Sequence, residues 1–208
     1  MCWIYGFTWS DGSLIEKTNR LIEHSGPDDH GIHVEDGMSL GNLRPAIIDL
    51  RELGHQPMRY ERDGKEVRIT SNGEIYNHKE VRAQLVRLGC RFAFESDMEV
   101  ILAVYLQWGT DCVDRFNGMW AFAILDGSRK ILFLSKDRFG IKPLHFRFDG
   151  HDLIFSSEIK ALFAQAIAKT TSILGIVVFV RHPLVRDFRH CAQLSSHFLN
   201  PTASGGGS

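Results

Sequence analysis

No CxxC pair occurs in the 208 residues, and the four cysteines, Cys2, Cys90, Cys112 and Cys191, stand far apart. That spacing argues against a zinc site and against a disulfide framework, and for a reducing cytoplasm. An excess of one charge is also missing. Lys and Arg number 24 against 25 Asp and Glu, a formal net charge of -1, which offers no electrostatic case for nucleic acid or an acidic membrane surface. The N-terminus lacks the basic and long apolar regions of a signal peptide. The longest apolar run, Ile173 to Val180, is too short to span a bilayer as a helix. There is no internal repeat and no βαβ phosphate loop. What remains is an ordinary globular composition, 44% hydrophobic and 24% charged, with a length suited to one domain plus an appendage.

The first residues, Met1-Cys2-Trp3-Ile4-Tyr5-Gly6-Phe7, hold the most distinctive chemistry. Removal of Met1 would leave Cys2 with a thiol and a free α-amine on one carbon. Their unperturbed pKa values, about 8.5 and about 8, lie within reach of neutral pH. One residue would then supply nucleophile and base together. The plainer reading of a cysteine in a short apolar run is a small buried hydrophobe.

The opening run reads as a strand. Ser13 with Glu16 gives a capping-box pattern for a helix carrying Leu14, Ile15, Leu21 and Ile22, stopped at Gly26-Pro27. A hairpin is expected at Gly31–Val34 and Met38–Leu40 about Asp36-Gly37. Ala46-Ile47-Ile48 reads as a short buried strand, Arg51 to Lys65 as a polar loop, and Val67 to Ser71 as a strand running into Asn72-Gly73. Asn77/Glu80 and Ser96/Glu99 are further capping patterns. The first starts a helix with Val81, Leu85 and Leu88 inward, and the second one with Val100, Ile101, Val104, Tyr105 and Trp108. Strands are also expected at Phe92–Phe94, Met119–Leu125, Ile131–Ser135, Leu144–Phe148 and Leu153–Phe155. The last four make two pairs, joined at Asp126-Gly127 and Asp149-Gly150. Hairpins with a few capped helices to one side form an α+β pattern.

Nine stretches, taken in order over residues 1–162, resemble the glutaminase domain of class II glutamine amidotransferases, specifically that of asparagine synthetase. They are Cys2; Ser25-Gly26-Pro27-Asp28-Asp29; Arg44 with Ile47-Ile48-Asp49-Leu50; Gly54-His55-Gln56-Pro57; Asn72-Gly73-Glu74-Ile75-Tyr76-Asn77; Ser96 to Ile101; Phe116 to Phe122; Asp137 to Leu144; and Phe155 to Lys160. The resemblance implies an N-terminal-nucleophile hydrolase fold, a four-layer α/β/β/α sandwich of antiparallel sheets. It also implies hydrolysis of L-glutamine to glutamate and ammonia, with the ammonia passed to a synthetase domain or subunit; the alternative is a non-catalytic glutamine-binding or regulatory module, or an inactive truncated fragment that retains the fold. No cofactor is expected in this chain; ATP and Mg would belong to the synthetase domain. Neither nucleic acid nor membrane is expected as a partner, and a cytoplasmic location is.

In that frame Cys2 attacks the side-chain amide and Asn72 and Gly73 form an oxyanion hole. Arg44 clamps the substrate α-carboxylate with its planar fork. Asp97, joined by Glu74, pairs with the α-ammonium, and Ile47 and Ile48 line the glutamine. Each has a bland counterpart: Asn-Gly is a common hairpin turn, Arg44 a surface arginine, and Asp97 an acid in a helix's first turn. Asp137-Arg138 reads as a structural ion pair. The chain departs from the resemblance at Trp3 (usually glycine), which would set a large ring beside the thiol. It departs also at Ser25 (arginine), Asn42 (histidine) and Pro45 (leucine). Residues 163–208 form an atypical, basic tail without the synthetase's Ser-Gly-Gly-x-Asp-Ser motif, read as a truncated or out-of-frame remnant with a flexible glycine-rich end.

Overall fold

Two five-stranded sheets lie face to face at the centre of the computed structural model, which describes residues 2–26, 28–35, 37–44, 55–148, 151–166 and 175–180. The first sheet contains β1 (Trp3–Phe7), β2 (Asp29–Glu35), β3 (Met38–Arg44), β8 (His145–Phe148) and β9 (Leu153–Ser156), ordered β2-β3-β1-β9-β8. The second contains β4 (Met58–Arg62), β5 (Lys65–Ile75), β6 (Gly118–Asp126), β7 (Ile131–Lys136) and β10 (Gly175–Val180), ordered β10-β7-β6-β5-β4. All these pairs are antiparallel except β10 with β7.

Alternation along the strands assigns the faces. Ile4, Leu40 and Phe155 of the first sheet meet Ala121, Ala123 and Leu134 of the second in an inner apolar layer. Tyr5, Phe7 and Leu43 face the other way, onto α1 (Gly12–Leu21) and α4 (Ile159–Ala166). Val67, Ile69, Phe122 and Phe133 face α2 (His78–Arg87) and α3 (Asp97–Trp108). The result is the four-layer α/β/β/α sandwich of an N-terminal-nucleophile hydrolase fold.

Several local expectations change. The cap of α1 is Asp11, whose carboxylate accepts the Leu14 N–H at 2.9 Å; Ser13 lies inside the helix. Leu21 and Leu88, expected inward, are 40% and 49% exposed, because the turns that end their helices carry them past the apolar stripe. Asn77 precedes α2 without capping it. Its amide instead accepts the Asn117 N–H and donates to the Arg115 carbonyl, tying α2 to the loop before β6. The expected loop from Arg51 to Lys65 contains β4, with Met58 and Tyr60 buried and a turn at Asp63-Gly64, both at positive φ. Phe92–Phe94 is not a strand. The Glu99 carboxylate accepts the N–H groups of Ala93 and Phe94, at 2.7 and 2.9 Å, and holds that segment as a loop. The hairpin at β2 and β3 forms as expected, and the proposed strand at 46–48 lies outside the described residues, as does the turn at 149–150.

Candidate active site

Cys2 stands one residue before β1, and the Trp3–Leu43 pairing sets it beside the end of β3, where Arg44 lies. On β3, Met38, Leu40 and Asn42 turn toward the second sheet, so the same alternation sends Arg44 there. Trp3 turns the opposite way and packs with the outer cluster of Tyr5, Phe7 and α1. The sequence-based expectation of a ring beside the thiol is therefore corrected: period-two geometry puts it on the far face of the sheet. Burial pushes the Cys2 thiol upward. Positive charge from the chain's terminal amine, Arg44 and Lys142 pulls it back down, and the Asp97 carboxylate pushes it up. Cys2 thus shares one electrostatic neighbourhood with groups from β3, from α3 and from the loop after β7.

Asn72 and Gly73 are not a turn. They lie within β5, paired with Ala121 and Trp120 of β6. Asn72 falls on the same face as Thr70, whose hydroxyl donates to the Gly41 carbonyl on β3 at 3.2 Å. Its side chain therefore points between the sheets, 1% exposed, and neither amide atom has a hydrogen-bond partner among the described residues. An unpaired buried carboxamide costs about 1–3 kcal/mol, which marks the position as held ready for a ligand. Gly73 has φ 137°, and a Cβ there would meet the Met119 carbonyl at 2.1 Å. Only glycine fits.

Asp97 is the first residue of α3, with Ser96 as its cap accepting the Met98 N–H at 3.2 Å. One carboxylate oxygen accepts the Ile75 N–H at 3.0 Å, which fixes Asp97 against the end of β5. Burial raises its pKa; the Ile75 and Met98 N–H groups and His78 oppose the shift, and exposed Glu74 adds to it. Asp97 is thus an acid in the first turn of α3 that also lies in the field of the Cys2 thiol.

Two polar assemblies support this end of the sandwich. Asn42 donates to Gln56 at 3.2 Å and Thr70 at 3.3 Å, and Gln56 in turn donates to the Ser71 carbonyl at 3.2 Å and accepts the Ser71 N–H. The Asn42 amide nitrogen thus bridges the two sheets. Asp137 does not pair with Arg138 as expected. Its buried carboxylate accepts the N–H groups of Trp120, Phe139, Ile141 and Lys142, because the loop curls around it. That curl delivers Lys142, a residue inside a quoted motif but given no role from sequence. A lysine between Ile141 and Pro143 in an apolar context was the available signal.

Of the expected residues, Cys2, Arg44 and Asp97 come together, Glu74 adjoins Asp97, and Asn72 and Gly73 sit on the β5 end that Asp97 clamps. Ile47 and Ile48 lie outside the described residues. Among the described residues no group of three or more His, Cys, Asp or Glu side chains could hold a metal ion, and no helix is long and apolar enough to cross a membrane.

The sandwich is shared with the solved glutamine phosphoribosylpyrophosphate amidotransferase from B. subtilis, complexed with ADP and GMP. The TM-score is 0.67 at 18% identity, over 85% of this chain and 45% of that one. That likeness is one of fold, the four-layer sandwich of the N-terminal-nucleophile hydrolases. Within it, residues 1–199 match the glutamine amidotransferase domain, and the chain belongs to that family. Similar full-length proteins include a putative glutamine-hydrolysing asparagine synthetase 2 of Methanocaldococcus jannaschii, 42% identical over 72% of this chain and 32% of its own length. Asparagine synthetase 3 of Bacillus subtilis is 37% identical over 79% of this chain and 28% of its own length, and asparagine synthetase B of Escherichia coli 37% over 78% and 30%. The chain spans about a third of the length of these relatives.

Proposed function

We propose that this chain hydrolyses L-glutamine to glutamate and ammonia, with Cys2 as nucleophile once Met1 is removed. The Cys2 sulfur attacks the side-chain amide carbon. The freed α-amine, through a water, takes the thiol proton and hands it to the departing nitrogen, which leaves as ammonia. Water then hydrolyses the thioester, returning the thiol and releasing glutamate. Asn72 Nδ2 and the Gly73 N–H donate to the oxyanion, Arg44 holds the α-carboxylate, and Asp97 with Glu74 takes the α-ammonium. Ile47 and Ile48 line the glutamine side chain. The ammonia acceptor is a synthetase domain or subunit, as in the relatives named glutamine-hydrolysing asparagine synthetases; ATP and Mg belong to that unit. The setting is the cytoplasm.

The observation that carries this reading is the buried, unbonded carboxamide of Asn72 on the strand end fixed by Asp97, which shares the field of Cys2 with Arg44. The test is ammonia release from L-glutamine by wild type and Cys2→Ala, with intact mass reporting loss of Met1. Activity in wild type alone, and capture of Cys2 by a diazo-ketone analogue of glutamine, are expected. A folded, Met1-processed wild type no more active than Cys2→Ala would sink the reading.

A further inference from the structure

Strand β4 begins at Met58, opposite Ile69, and the same register carried two residues further would set Gln56 against Ser71. The β4–β5 pairing stops at Met58, and Pro57 has no N–H to extend it. The Gln56 side chain takes the rung instead. Its amide accepts the Ser71 N–H and donates to the Ser71 carbonyl at 3.2 Å. Gln56 and Ser71 are both buried, so without that carboxamide two main-chain groups of β5 would lose their partner away from water. Gln56 is itself wedged in place. A Cβ on Gly31 would meet the Gln56 carbonyl oxygen at 1.6 Å, so this glycine of β2 admits the Gln56 main chain against the first sheet while the side chain reaches the second.

A second side chain holds β5 in the same way farther along, where Asp97 accepts the Ile75 N–H at 3.0 Å. Ser71 and Ile75 flank Gly73 two residues to either side, so one clamp lies before the glycine and one after it. Opposite Gly73, Trp120 accepts the Asp137 N–H at 2.8 Å and donates its own N–H to the Asp137 carboxylate at 3.2 Å, turning both main-chain groups toward the end of β7. We propose that Gln56 is a positioning residue, its carboxamide standing in for a missing strand so that β5 presents Asn72 and Gly73 in fixed register. The inference rests on the glutaminase reading, in which those two residues supply the oxyanion donors. Gln56 acts through Ser71 and touches no reacting atom. Asn42 is not required for the clamp: it donates to the Gln56 oxygen at 3.2 Å, and its loss leaves both Gln56–Ser71 bonds in place.

The experiment is steady-state ammonia release from L-glutamine together with amide hydrogen exchange at Ser71. It compares wild type with Gln56→Met, Gln56→Leu and Asn42→Ala, each held below its melting transition. A group misplaced by about 1 Å can cost about 100-fold in rate. Both Gln56 variants are expected to lose about 10- to 100-fold in kcat, with KM within about twofold because Arg44 and Asp97 keep their places. Ser71 should exchange about tenfold faster in them or more, as its bond to Gln56 is gone. Asn42→Ala, which weakens the same network from its other end, should keep kcat within about twofold and leave Ser71 protected. A folded Gln56 variant with wild-type kcat overturns the proposal, as does an equal fall in kcat for Asn42→Ala at equal loss of melting temperature. If neither Gln56 variant folds, the wild type decides: slow exchange at Ser71 supports the clamp, and exchange as fast as an exposed loop amide overturns it. A processed wild type that releases no ammonia refutes the glutaminase reading instead. Faster Ser71 exchange in the Gln56 variants but not in Asn42→Ala would then leave the clamp standing, and unchanged exchange would remove it.

Discussion

Two buried asparagines, Asn42 and Asn72, face the space between the sheets, and they are treated oppositely. Asn42, 2% exposed, bonds to Gln56 and Thr70 and closes the middle of the sandwich. Asn72, 1% exposed, has no partner at either amide atom among the described residues. Both sit on the inner faces of the two facing sheets, Asn42 on β3 and Asn72 on β5, so neither burial nor residue type separates them. The difference is the surroundings. Near Asn42 the chain brings up another amide and a hydroxyl. Near Asn72 it brings up Gly73 and the end of β5 that Asp97 holds through the Ile75 N–H. A network that satisfies itself gives rigidity; a donor kept unsatisfied keeps its bonding capacity for a ligand.

The sharpest way to break this contrast is to delete Asn72. Loss of one oxyanion donor removes about 2.7–4 kcal/mol of transition-state stabilisation. Asn72→Ala is therefore expected to lower kcat about 100- to 1,000-fold, with no loss of melting temperature because no protein hydrogen bond disappears. A normal kcat with a lowered melting temperature would make Asn72 a structural residue like Asn42.

A smaller effect follows from Asp97. Burial raises its carboxyl pKa, and only the charged form pairs with an ammonium. As pH falls through that raised value the carboxylate is lost. KM for glutamine is expected to climb about tenfold per pH unit, beginning above the ordinary aspartate value of about 3.9. Asp97→Asn should raise KM at neutral pH and flatten the dependence. A parallel pH profile in the variant would remove Asp97 from substrate binding. Asn42→Ala should do the reverse of Asn72→Ala. Leaving Gln56 and Thr70 short of a donor costs about 1–3 kcal/mol of stability, measured by denaturant unfolding, with kcat little changed.

The framework was legible where short-range signals agree with the fold. The Ser96 cap, the β2–β3 hairpin and the β6–β7 hairpin are local decisions and form as expected. Strand β4 was hidden because its inward residues, Met58 and Tyr60, alternate with three charged ones that read as loop. Phe92–Phe94 misled because the carboxylate that holds it open belongs to Glu99 on a following helix, and no local pattern encodes that contact. The site was legible only through the order of its motifs. Cys2, Arg44 and Asp97 come from separate parts of the chain, and composition cannot show that they come together. Lys142 escaped for the same reason: its burial depends on a loop closed by Asp137.

The smallest expected effect tests the two faces of the first sheet. Trp3 follows the nucleophile directly, so proximity along the chain suggests a ring in the cleft. Strand geometry sends it instead to the outer cluster with Tyr5 and Phe7, beneath α1. Truncating a fully buried tryptophan costs about 3–5 kcal/mol. Trp3 is half-buried, so Trp3→Ala is expected to cost about 1–2 kcal/mol in denaturant unfolding, scaled from that range. Its kcat and KM for glutamine should stay within about twofold of wild type, since the outer cluster supplies no group to the site. A marked fall in KM at unchanged stability would mean that the ring occupies the cleft. It would also overturn the face assignment on which the opposition of Asn42 and Asn72 depends, because one alternation sets Trp3 outward and Arg44 inward on paired strands.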